Sequence, residues 1–181
     1  MDGQRYTLEQ RVGNALKLLN DGLKVFLEQV LKKVHGDRWV VVAHDTVNIK
    51  MKPTTTNLDD LDTKLLLAVL TKSWQDMLLA NSNLEMHHKN IAHELHRVRN
   101  AWAHQAKFTT EDTYRALDNI ERLLIAIGGY NEAFKVSEDK KDVVLLFANE
   151  IMYERQHKQN LPQQYHTNHV NNHTTSHSDT D

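Results

Sequence analysis

Nine apolar residues between Leu8 and Val34 recur at three- and four-residue steps: Leu8, Val12, Ala15, Leu16, Leu19, Leu23, Phe26, Val30 and Val34. Only an α-helix brings such positions onto one face, so the chain begins with a long helix that needs partners along its whole length. Thr7 is placed to cap its start and Gly36 to follow its end. Gly13 and Gly22 weaken the helix, each by roughly 1 kcal/mol relative to Ala. They also permit close approach of another helix.

The same periodicity returns further along. Leu61–Ala80 sets Leu65, Leu66, Val69, Leu70, Trp74 and Leu78 on one side. Asn83 is a candidate cap for a helix from about Leu84 to Ala103, with Ile91, Leu95, Val98 and Trp102 as its core positions. Thr109 and Asp112 resemble a capping box for a helix over Glu111–Ile127, ended by Gly128–Gly129. A last amphipathic helix spans Lys140–His157. The expected class is all-α, an antiparallel bundle of four to five helices. Trp39–Asn57 stands apart: its run of β-branched residues predicts an irregular or short β excursion after the first helix.

Residues 1–157 read as one helical domain. Residues 158–181 are Gln, Asn, His, Thr and Ser with almost no apolar residues, a composition expected to be disordered. There is no Cys, hence no disulfide or thiolate chemistry. The N-terminus lacks a signal-peptide pattern and no apolar run could cross a bilayer, so a soluble, cytoplasmic protein without membrane contact is the expectation.

The net charge of -2 makes any nucleic-acid contact local. Leu84–Phe108 holds Lys89, Arg97, Arg99 and Lys107 against Glu85 and Glu94, together with His87, His88, His93, His96 and His104. Charge alone makes this a solvated helix face. The chemistry concentrates in RNAWAH, Arg99–His104. Arg99 offers a planar fork for a phosphate. His104 can take or give a proton near neutrality. Asn100 can orient the His or bind a phosphate oxygen. These roles suit RNA cleavage by attack of the neighbouring 2'-hydroxyl. On an ideal helix Arg99 and His104 lie about 140° apart, so one stripe does not hold both. A loosened last turn, or a second subunit, would have to bring them together. The plainer reading is that an Arg and a His near a helix C-terminus stabilise its dipole. G-x-S-x-G, the P-loop and G-x-G-x-x-G are all absent. The histidines lack matched carboxylates at metal-ligand spacing, so metal binding is the weakest expectation.

With its flanks, VRNAWAHQAKFTTEDTYRALDNIERLL (Val98–Leu124) resembles the HEPN superfamily (higher eukaryotes and prokaryotes nucleotide-binding). The similar branch is the one attached to a nuclear transcript-surveillance endoribonuclease. Arg11–Trp39 is similar to that branch's opening helix, and the resemblance covers about Arg11–Ile127. It implies a helical bundle that dimerises through its motif helices, two copies forming one composite RNA-cleaving site without metal or cofactor. Arg99 and His104 match the catalytic pair, Asn100 the polar residue after the Arg, and Trp102 an aromatic of structural role. The implied function is a metal-independent endoribonuclease, acting on RNA as a homodimer and serving as a toxin or phage-defence effector. The alternative is a non-catalytic dimerisation module working with a separate ATPase or antitoxin.

Overall fold

The computed structural model describes residues 6–50, 55–81 and 83–159. The helices are α1 (Leu8–His35), α2 (Trp39–Thr46), α3 (Thr63–Lys72), α4 (Trp74–Ala80), α5 (Met86–Ala103), α6 (Thr110–Ala126) and α7 (Tyr130–Gln159). Among the described residues there is no strand, and the expected all-α bundle is what the chain forms. The chain divides into a unit up to Phe147 and a second from Ala148, of which the described residues are helical. From residue 160 the polar tail lies outside the described residues.

α1 is the axis of the first unit and is packed by α2, α3, α4, α5 and α6. Val12, Leu19, Leu23, Leu27 and Leu31 are fully buried along it, as their spacing requires. Thr7 caps it in a capping box with Gln10, and Gly36 ends it at φ 55°. α5 lies between α3 and α6. Its C-terminal end meets the first turns of α1 and the start of α3, so it runs antiparallel to both.

Gly22 makes room on α1 for Leu124 of α6: a Cβ there would sit 2.5 Å from Leu124 Cδ2. The ends of α6 follow from its sequence. Thr109 and Asp112 form the capping box, and Gly128 lies just past the last turn at φ 84°.

Several local expectations change, among them the last helix, which begins at Tyr130 rather than Lys140. Trp39–Thr46 is helical rather than an irregular or β excursion. Trp39, Val40, Ala43 and His44 fall on one helical face and are buried, and α2 packs on α1. That burial outweighs the few tenths of a kcal/mol by which each Val disfavours a helix. His44, fully buried, is bonded to the Val40 carbonyl and to Asp60, tying α2 to the segment before α3. The helix expected over Leu61–Ala80 is divided at Ser73 into α3 and α4, which lets Trp74 and Met77 stay buried.

Candidate functional site

The RNAWAH stretch forms the last turn and C-cap of α5. The helix starts two residues later than Asn83 suggested: Glu85 is the N-cap, paired with His88 in a reciprocal box. It ends at His104, whose backbone N–H still reaches the Asn100 carbonyl. Gln105 then takes φ 57°, a left-handed turn that carries the chain towards α6.

Arg99 leans towards α3. Its Nη2 donates to Asp62 Oδ2 at 2.6 Å, and its side chain is largely covered. Asp62 is also the N-cap of α3, accepting from the Leu65 N–H at 3.0 Å. One carboxylate thus caps a helix and holds the motif arginine. Asn100 Nδ2 lies 3.4 Å from His96 Nδ1, one turn back along α5. The His104 side chain is exposed and has no hydrogen-bond or ion-pair partner among the described residues. Among the hydrogen bonds of the described residues, none joins the side chains of Arg99, Asn100 and His104 to one another. Within one chain the motif is therefore split between two flanks of α5, as the angle of about 140° requires.

The arc between those flanks is lightly furnished. About 40°, 60° and 100° round from Arg99 come Ala103, His96 and Asn100. Ala103 is exposed, and the other two are half-buried. The His96 pKa is lowered, chiefly because partial burial penalises its charged form. The cations Lys64 and Arg99 lower it further, against an opposing contribution from Asp62. This flank is thus a positive environment despite the Asp62 pairing.

Trp102 differs from its expected place. It does not enter the core: it is 42 % exposed and lies on α1 at Gly13, where an added Cβ would meet three indole atoms at 2.9–3.0 Å. Its Nε1 donates to the Glu9 carbonyl at 3.1 Å. The Glu9 carboxylate accepts the Phe108 N–H at 3.3 Å. Glu9 thus grips α5 by one group and the segment leading to α6 by another. The backbone N–H groups around it hold its pKa below the ordinary carboxylate value. Val98, the other expected core residue, does pack against the core from a half-buried position.

Asp62 and Glu9 are not singled out by the sequence. Asp62 precedes an apolar helical run and so reads as a cap. Nothing in its spacing to Arg99 signals the pairing, which depends on α3 and α5 packing antiparallel. Gly13 did carry a signal, as a glycine inside an otherwise regular helical pattern.

Among the described residues no group of three or more His, Cys, Asp or Glu is placed to hold a metal, and no helix is long and apolar enough to cross a membrane. No curated relative and no solved structure matches the chain. A family model does: the one described as Swt1-like HEPN matches residues 14–128 of the 181, a stretch that holds α2 to α6 and most of α1. With that match over more than half its length, the chain belongs to the Swt1-like HEPN family.

Proposed function

We propose that the protein is a metal-independent endoribonuclease whose site is completed by a second copy of the chain. The observation that carries this reading is the division of the motif across α5. Arg99 lies on one flank and His104 on the other, with His93, His96, Asn100 and Ala103 on the arc between them. A second α5 laid antiparallel along that arc would set the Arg99 of one copy beside the His104 of the other. A two-fold axis then makes two equivalent pairs.

In such a pair Arg99 binds the non-bridging oxygens of a phosphodiester by a charge-assisted fork and stabilises the charge that builds on them. His104 accepts the proton of the adjacent 2'-hydroxyl as its oxygen attacks phosphorus. The bond from phosphorus to the 5'-oxygen breaks. That oxygen takes a proton from an imidazolium or from water, leaving a 2',3'-cyclic phosphate and a 5'-hydroxyl. Asn100 supplies a further amide donor at the junction.

A second reading has one observation in its favour: Arg99 is already occupied by Asp62. Under it the same face binds a partner without cleaving RNA. The deciding experiment incubates RNA with wild type, Arg99→Ala and His104→Ala, each with and without chelator. Cleavage that survives chelator and is lost in both variants supports the ribonuclease. Full activity in both variants, with helicity unchanged, sinks it.

A further inference from the structure

The chain has three tryptophans. Trp39 and Trp74 are buried, at 7 % and 2 % exposure, whereas Trp102 is 42 % exposed. A ring of this size is among the largest apolar surfaces a core can cover, so one held at the surface calls for a reason. It is also held firmly. The indole N–H is satisfied by the Glu9 carbonyl, and the ring is seated on Gly13, a position any larger residue would close. A ring fixed in this way loses little freedom when a second flat group is laid on it.

Its surroundings on the Arg99 side suit an anion, while Glu9, engaged by the Phe108 N–H, lines the other side. Trp102 borders two adjoining depressions of about 440 and 480 Å³, both also lined by Gly13 and Lys17, and Arg99 opens into the first. Lys17 is exposed and makes no ion pair among the described residues. The acidic groups of the first depression are Asp62, engaged by Arg99, and Asp21.

We propose that Trp102 is a stacking platform for one unpaired base of a single-stranded RNA, with Lys17 taking a neighbouring phosphate beside the one held by Arg99. The proposal rests on the ribonuclease reading and deepens it, because it makes the substrate single-stranded at the site. Stacking accepts any base, since every base offers a π-face, so this contact gives affinity without strong sequence preference.

The test uses the full chain carrying His104→Ala, so that bound RNA is not cut, and a short single-stranded RNA of mixed sequence. Trp102 is the tryptophan within reach of solvent, so stacking quenches its emission as RNA is added, and Trp102→Phe removes the quench. Binding followed by anisotropy weakens roughly 5- to 100-fold in Trp102→Leu, the range expected for loss of one base–aromatic stack, and Trp102→Phe restores much of it. An abasic position walked along the RNA reproduces the loss at one site. Helicity measured in parallel separates these effects from unfolding. RNA that binds wild type normally with no quench, and with no abasic-sensitive position, overturns the platform and leaves the ribonuclease standing. A blue shift that grows with protein concentration in the absence of RNA overturns it too, by placing Trp102 in the contact between copies. Absence of binding to any RNA removes both readings together.

Discussion

Arg99 and Asp62 are joined across 2.6 Å, and Asp62 is at the same time the cap of α3. Both duties fall on one carboxylate, so a change that removes only its charge separates them. Asn caps a helix as well as Asp does. Asp62→Asn is therefore expected to leave α3 intact while freeing Arg99 for a phosphate. The pair is partly exposed and worth about 0.2–1 kcal/mol, so RNA should bind up to about fivefold more tightly. Binding isotherms of the two proteins check this. Weaker binding would instead mean that Asp62 positions Arg99 for its substrate.

His96 offers a reporter for the same arginine. Its pKa is lowered first by burial and then by Lys64 and Arg99. Removing a nearby cation favours the imidazolium, so in Arg99→Ala the His96 titration midpoint, followed by NMR, moves up towards the ordinary 6.5. The burial contribution remains, so it stops short of that value. An unchanged midpoint would mean that Arg99 does not act on His96 in solution.

A composite site makes a prediction about mixtures. Arg99→Ala and His104→Ala chains are each inactive alone. Co-folded, they form mixed dimers in which one of the two pairs is intact. Random pairing then restores about a quarter of wild-type cleavage, given two independent sites related by a two-fold axis. No recovery, with mixed dimers demonstrably present, would mean that both copies of both residues meet in one centre or that each chain works alone.

Gly22 separates two effects of alanine. In an open helix Gly→Ala gains roughly 1 kcal/mol. Here the new Cβ would meet the buried Leu124 at 2.5 Å. Overpacking typically costs about 1–3 kcal/mol, so Gly22→Ala should lose about 1 kcal/mol net in denaturant unfolding. A gain in stability would show that Leu124 finds another rotamer without cost.

Arg11 is 5 % exposed and is paired with Asp139 and Asp142 of α7. Burial pushes the Asp139 pKa up, with the Arg11 charge opposing. Arg11→Ala leaves Asp139 half-covered and unpaired, and its partial exposure sets the loss at about 2–4 kcal/mol, below the range for a fully buried pair. Arg11→Met should cost less, by keeping the packing of the stem. Thermal or denaturant unfolding of the two variants orders them.

The parts of this fold legible in the sequence are those set by local rules. The spacing of Val12, Leu19, Leu23, Phe26 and Val30 requires a helix, and Thr7, Thr109 and Gly128 mark helix boundaries. Trp39–Thr46 departs from the sequence expectation because Val40, Val41 and Val42 favour a strand locally, while contact with α1 decides the matter. The motif residues were legible by chemistry, but their partners were not. Asp62 reaches Arg99 across 37 positions and Glu9 reaches Trp102 across 93, and periodicity carries no information at such separations. Trp102 fits the apolar rhythm of α5, yet at the helix end that rhythm points over the rim of the bundle instead of into it.

Glu9 and Gly13 lie just before the stretch matched by the family, which begins at residue 14. A domain trimmed to the family boundary would keep Arg99, Asn100 and His104 and lose the carbonyl, the carboxylate and the glycine on which Trp102 and Phe108 rest. Expression work on this protein should start ahead of Thr7, because a shorter piece carries the motif without its footing.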